Sequence, residues 1–188
     1  MIPLCVDLDG TLVKGDTLWL SMREIIRANP LHALGIAWKF LSCGRAGMKE
    51  WMAGKFLPAP DTLPYHPDVI DWVKQEQASG RHLILVTGAH QRVAEPIAAY
   101  IGLFEEVMGT QNGYNMSGGP KADALLKRYG EKGYDYAGNS RVDLPVWQHA
   151  HHAIVVNASS KVAHRARALG NVDREFSRPM KLSSGLDR

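Results

Sequence analysis

Residues 4–13 read LCVDLDGTLV, an apolar run that stops on Asp7 and Asp9 with Gly10 and Thr11 directly behind. A carboxylate can attack phosphorus and form an acyl phosphate that water later cleaves. A second carboxyl must then protonate the leaving oxygen and activate the water. Asp9 is placed for that work, because Gly10 lets the backbone turn it back towards Asp7. A phosphate approaching a carboxylate is repelled, so the site needs positive charge. Lys121 supplies one unit, and a Mg²⁺ held by oxygen ligands would supply two. The Thr87 hydroxyl and the backbone at Gly88, with Thr11, suit the remaining phosphoryl oxygens. Asn139 and Asp143 add two further oxygen donors.

These residues are far apart in the chain, so the fold must gather them. Residues 2–7 and HLILVTG (82–88) read as short apolar strands covered on both faces. EEVMGT, YDYAGNS and HAIVVN read as further strands, alternating with helices over roughly 90–101, KADALLKRYG, VDLPVWQHA and SKVAHRARALG. Pro96 should kink or delay the first of these helices. Alternation of this kind predicts an α/β fold, a Rossmann-like parallel sheet with helices on both faces. Ligands bind beyond the carboxyl ends of such strands. Asp7 and Asp9, Thr87 and Gly88, and Asn139 with Asp143 all fall at those ends.

Residues 16–64 break the rhythm. They hold about three helical stretches where a crossover needs one, and they read as an inserted helical cap. The expected division is therefore a core of 1–15 and 65–173, the insertion 16–64, and a tail or linker 174–188. Trp19, Trp38, Phe40, Trp51 and Phe56 are expected to form the interior of the cap.

DLDGT, then VTG, then Lys121, then GNSRVD resembles the four-part signature of the haloacid dehalogenase-like (HAD) phosphohydrolases. The resemblance implies an aspartyl-phosphate mechanism, with Asp7 as nucleophile, Asp9 as general acid/base, and Thr87 and Lys121 on the phosphoryl group. It implies Mg²⁺ held by Asp7, the backbone carbonyl of Asp9, and the fourth-motif acids at Asn139 and Asp143. It also implies a helical C1-type cap. Here the first fourth-motif acid is Asn139, a neutral oxygen donor, so weaker metal binding is expected, with Asp143 as the remaining acid. Over 2–157, TLPYHPDVIDWV, GLFEEVMGT and YDYAGNSRVDLPVW are also similar to the HAD-like domain that precedes UbiA-type polyprenyltransferases. That resemblance implies a small or prenyl-linked phosphate monoester as substrate. It implies a membrane prenyltransferase as partner or fused half, and a cytoplasmic position at the inner face of the membrane. The alternatives are a catalytically weak binding or regulatory domain attached to such an enzyme, and a phosphomutase using the same two acids.

Composition narrows the classes. Net charge is +3 in 188 residues, which gives no argument for a nucleic-acid partner. Two cysteines, Cys5 and Cys43, are too few for a disulfide framework. No stretch reaches the roughly 18 uninterrupted apolar residues of a membrane span; PLHALGIAWKFLSC (30–43) carries His32 and Lys39. Receiver domains also combine acids, Thr and Lys, but their phosphorylated Asp ends a later strand. A halide-releasing dehalogenase has no need of Asp9. His149, His151 and His152 lack a Cys or carboxylate at ligand spacing and read as solvated surface. Lys161, Arg165 and Arg167 read as one solvated helix face.

Overall fold

A computed structural model describes residues 1–177. Six strands form one parallel sheet in the order β3-β2-β1-β4-β5-β6. They are β1 (Leu4–Val6), β2 (Leu83–His90), β3 (Glu106–Thr110), β4 (Asp135–Gly138), β5 (Ala153–Val156) and β6 (Val172–Phe176). The order reverses direction at β1, which pairs with β2 on one side and β4 on the other. That is the doubly wound pattern, whose crevice lies at the carboxyl ends beside β1.

Strand side chains alternate between two apolar layers, as the pleat requires. Leu4, Val6, Leu83 and Leu85 face α3 (Pro67–Ala78) and α4 (Gln91–Ile101) through Val69, Val73, Val93 and Ile97. Cys5, Ile84 and Val86 face the other layer. There α5 (Gly119–Tyr129), α6 (Leu144–His149) and α7 (Ser160–Arg167) bring Leu125, Trp147 and Ala166. Cys5 is fully buried, and burial pushes its thiol up to about 12. Pro96 does not delay α4, which is helical from Gln91. At that place only the bond to the Arg92 carbonyl is lost, and His90 caps the first turn through Nδ1.

Between β1 and α3 lie two helices, α1 (Thr17–Ala28) and α2 (His32–Ala53), which bends at Gly44. The two stems of this insertion are tied together. Val13 bridges Tyr65, the Lys14 N–H donates to the Pro64 carbonyl and the His66 N–H to that of Leu12. Its interior is Ile25, Ile36, Met48 and Met52, with Trp51 and Phe56 packed on them. Trp19, Trp38 and Phe40 are exposed, against expectation. A two-helix layer gives each helix one inward stripe, so aromatics on the outer rows have nothing to cover them.

β6 takes in residues 174–176, which the sequence suggested as tail. Its charged residues are tolerable because an edge strand leaves half its side chains in water. The rest of the expected tail, 178–188, lies outside the described residues. Among the described residues, no helix is long and apolar enough to cross a membrane. Lys161, Arg165 and Arg167 are exposed on α7 as read, and Arg167 pairs with Glu175 at 2.6 Å.

Candidate active site

Asp7 leaves β1 at the switch point, its N–H donating to the Ala137 carbonyl of β4 at 2.9 Å. The following turn is tight. Leu12 and Val13 N–H groups both donate to the Leu8 carbonyl, and Gly10 sits at φ +76°. A Cβ on Gly10 would lie 1.9 Å from Asn139 Nδ2, so a side chain here would have to displace Asn139 as well as adopt a positive φ that favours glycine. Gly138 is equally constrained, because its Cβ would meet Asp143 Cγ at 2.8 Å.

A buried chain of polar contacts runs from that point. Lys121 Nζ donates to Asp7 Oδ1 at 2.8 Å and to Tyr136 Oη at 2.6 Å. The Tyr136 hydroxyl donates to Asp143 Oδ1 at 2.9 Å. Asp143 Oδ2 accepts from the Asn139 and Ser140 N–H groups at 3.1 and 2.9 Å and from Ser140 Oγ at 3.0 Å. With four donors, Asp143 holds the loop after β4 and balances Lys121, 3.8 Å away. Ser140 stands inside GNSRVD and Tyr136 just before it, but the motif gives neither a role; a tyrosine inside an apolar strand reads simply as core.

Asp9 Oδ1 accepts from the Thr17 N–H at 2.8 Å, which ties it to the first turn of α1. Burial raises both leading acids: Asp7 to about 7, opposed by Lys121 and reinforced by Asp143, and Asp9 to about 6, opposed by the Thr17 N–H. Burial also raises the Tyr136 phenol well above its usual range.

Asp7, Asp9, Gly88, Lys121, Asn139 and Asp143 all line one cleft of about 410 Å³. Thr87 lies inside β2, which runs on to His90 past the end expected at Gly88; it is fully buried and does not itself line the cleft, its Oγ1 accepting from the Ala89 N–H at 3.0 Å. Thr11 is not brought to the cleft. Its hydroxyl is buried without a hydrogen-bond partner, because the turn after Asp9 carries it inward.

Three titratable lining residues have no role in the sequence reading. Lys49 reaches from α2 to the Gly88 carbonyl at 2.6 Å and to Asn115 Oδ1 at 2.7 Å. Burial lowers its ammonium, and no carboxylate stands within ion-pair distance of it among the described residues. His90 lines the cleft, its Nδ1 accepting from the Arg92 N–H, and burial lowers its pKa, which fits the neutral ring. Asp16 caps α1 at the rim, accepting from Leu18 N–H at 2.8 Å. In sequence, Lys49 looks like any outward lysine of an amphipathic helix.

The oxygen-only donors suit a hard cation such as Mg²⁺. The cleft carries four carboxylates (Asp7, Asp9, Asp16 and Asp143) against two ammonium groups (Lys49 and Lys121), two negative charges in excess. Among the described residues, the three-residue group whose ligand atoms converge within 4.8 Å is elsewhere: Asp135, His151 and His152, at the amino end of β4. His151 Nδ1 lies 3.2 Å from Asp135 Oδ1, and the Asp135 side chain also pairs with Arg81. Sequence spacing missed Asp135 as a neighbour because β4–β5 pairing, not chain proximity, brings it there.

Comparison with known proteins bears on the family and the fold. The model of the haloacid dehalogenase-like hydrolase family matches residues 36–148, starting beyond Asp7 and Asp9. The uncharacterized protein y4nM of Sinorhizobium fredii (strain NBRC 101917 / NGR234) is 32% identical over 184 residues, 96% of this chain but 35% of that protein. The chain thus spans about a third of the length of the curated relative it matches. A protein of unknown function from Bordetella pertussis Tohama I is similar in structure (TM-score 0.67, 17% identity, 93% of this chain and 97% of that one). So is a substrate-bound phosphoserine phosphatase (TM-score 0.63, 15% identity, 95% and 94%). At these identities the two structures speak for the fold.

Proposed function

This chain belongs to the haloacid dehalogenase-like hydrolases, and we propose that it hydrolyses phosphate monoesters through a phosphoryl group carried on Asp7. The observation that carries this reading is the buried Asp7–Lys121 pair at 2.8 Å, set in one cleft with Asp9 and Asn139. An Asp7 oxygen bonds to phosphorus as the ester P–O bond breaks. Asp9 gives its proton to the departing oxygen. Its pKa, raised to about 6, keeps a useful protonated fraction near neutral pH. Water then attacks phosphorus, Asp9 takes the water proton, and Asp7 is released with inorganic phosphate. Lys121 balances charge on the phosphoryl oxygens, and the Thr87 hydroxyl and Gly88 backbone are the proposed donors to them.

Asp7, the Asp9 carbonyl and Asn139 are the proposed holders of Mg²⁺, which when bound supplies two positive charges beside the phosphoryl group. The four donors on Asp143 support a positioning role for it, through Tyr136 and Lys121, over direct ligation. Residues 16–64 are the proposed cap. Leu18, Met52, Ala53 and Val93 from both cap and core line the cleft and support an apolar leaving group. A prenyl-linked monoester fits that lining, and a membrane prenyltransferase as partner belongs to the same proposal.

Asn139 favours a second reading, a phosphate-binding domain with slow or no turnover. One experiment addresses both: hydrolysis of an aryl phosphate with Mg²⁺ by the wild type, Asp7→Asn and Asn139→Asp. The first reading expects turnover that Asp7→Asn abolishes. Wild type and Asp7→Asn turning over equally would remove Asp7 as nucleophile. Inert wild type and inert Asn139→Asp would favour the binding domain. Transfer of the phosphoryl group to another hydroxyl of the substrate would mark a phosphomutase.

A further inference from the structure

The outer face of the insertion is the least explained surface of this molecule. Leu31, Leu34, Trp38 and Leu41 are spaced by three, four and three residues. They form one row along the first half of α2, each between 68 and 80% exposed. Gly44 ends that half-helix, and exposed Arg45 follows directly after the bend. On α1, Trp19, Arg23 and Arg27 are exposed at intervals of four. A contiguous set of large apolar side chains left in water marks a surface that something covers.

Charge says what that something is. Residues 17–45 contain Arg23, Arg27, Lys39 and Arg45 against a single acid, Glu24, which pairs with both Arg23 at 3.0 Å and Arg27 at 3.4 Å and so leaves three positive charges in excess; no acid occurs between Glu24 and Glu50. A second copy of this chain would bring the same cationic face against itself, and the like charges would oppose the pairing. Leucine and tryptophan rows flanked by arginine are the composition of helices that lie in the headgroup layer of an anionic bilayer. The half-helix 32–43, at about 18 Å, is far too short to span the roughly 30 Å hydrocarbon core, so it can lie on the membrane but not cross it.

We propose that the outer face of α1 and α2 docks this protein on an anionic lipid bilayer. The Leu31–Leu34–Trp38–Leu41 row enters the headgroup–acyl boundary, and Arg23, Arg27 and Arg45 meet the lipid phosphates. Tryptophan suits that depth because its ring is apolar and its N–H is polar. The binding is reversible, since one short amphipathic helix buries little area. None of this depends on the chemistry at Asp7, and its test needs no turnover.

The test is co-sedimentation of the full chain with vesicles of phosphatidylcholine alone and of equal parts phosphatidylcholine and phosphatidylglycerol. A second readout comes from a polarity-sensitive fluorophore on Cys43, the exposed one of the two free thiols, at the end of the row. We expect partition onto the anionic vesicles, with a blue shift of the label. Leu34→Ser with Trp38→Ser should weaken it roughly 100-fold, from lost apolar burial. Arg23→Gln with Arg27→Gln should weaken it roughly tenfold. Both pairs are exposed, and unchanged far-UV circular dichroism checks the fold. A chain that stays in the supernatant, or that binds both vesicle types equally, overturns the proposal. So does a double serine variant that binds like the wild type. A wild-type dimer in light scattering that the serine variant converts to monomer would assign the row to a second copy instead.

Discussion

The carboxyl ends of β1, β2 and β4 and the helical insertion share one cleft, but they are built on different rules. At the strand ends each polar group answers another: Asp7 to Lys121, Lys121 to Tyr136, Tyr136 to Asp143, Asp143 to Ser140. A Cβ there would meet the Asn139 side chain at Gly10 and those of Asp143 and Tyr136 at Gly138. The insertion has a small interior of Ile25, Ile36, Met48 and Met52, and an exposed outer row. It hydrogen-bonds to the strand ends through the Thr17 N–H on Asp9 and Lys49 at the Gly88 carbonyl, and otherwise lines the cleft with Leu18, Met52 and Ala53. One region is fixed by the reaction and the other is free to be shaped by what it meets.

That contrast can be broken experimentally, and the largest effect should come from the strand-end network. Lys121→Ala leaves Asp7 and Asp143 buried without their cation. Turnover should fall about 10³-fold, and stability should fall by about 3–5 kcal/mol because a buried pair has been broken. Steady-state kinetics and urea unfolding would read both. A loss confined to KM would contradict the role given to Lys121.

Gly138→Ala should cost about 1–3 kcal/mol by overpacking against Asp143 and Tyr136, with a parallel drop in turnover. An unchanged denaturation midpoint would show that the loop after β4 yields more easily than described.

A third test uses pH in metal-free protein. Asp7 and Asp9 are raised in the folded state, to about 7 and about 6, so the folded chain binds more protons than the unfolded one above pH 4. Their stabilising contribution is complete at low pH and is lost as pH rises through about 6 and 7. The melting temperature should therefore decline as pH rises from about 4 to 7, and Asp7→Asn should flatten the decline. A melting temperature that rises from pH 5 to 7 with the same slope in both proteins would place the carboxyls in a more solvated setting.

The smallest effect belongs to the insertion. Lys49→Met removes a cation from the cleft wall without touching the Asp7 network. KM should rise roughly tenfold with turnover little changed. Turnover falling as far as in Lys121→Ala would erase the distinction between the two regions.

The same contrast explains what the sequence could reveal. That Asp7, Asp9, Lys121, Asn139 and Asp143 share one cleft was legible because apolar runs mark the strands whose carboxyl ends gather them. Gly10 was legible as a turn, though not as the contact surface for Asn139. Tyr136 was hidden because its ring is core and only its hydroxyl joins the network. Asp135 beside His151 and His152 was hidden because strand pairing, not spacing, made the cluster. In the insertion, helix content was readable from periodicity, but the direction of each stripe was not. Trp38 and Trp51 look alike in sequence, and only the packing of α1 on α2 sends one outward and one inward.

The most direct test of the account is whether phosphate is ever bonded to Asp7. A rapid acid quench of the wild type during turnover of an aryl phosphate, followed by peptide mass spectrometry, would detect it. The account predicts a phosphoryl group on the peptide containing Asp7, absent in Asp7→Asn and accumulating in Asp9→Asn. Steady turnover with no phosphorylated Asp7 peptide in either the wild type or Asp9→Asn would contradict it.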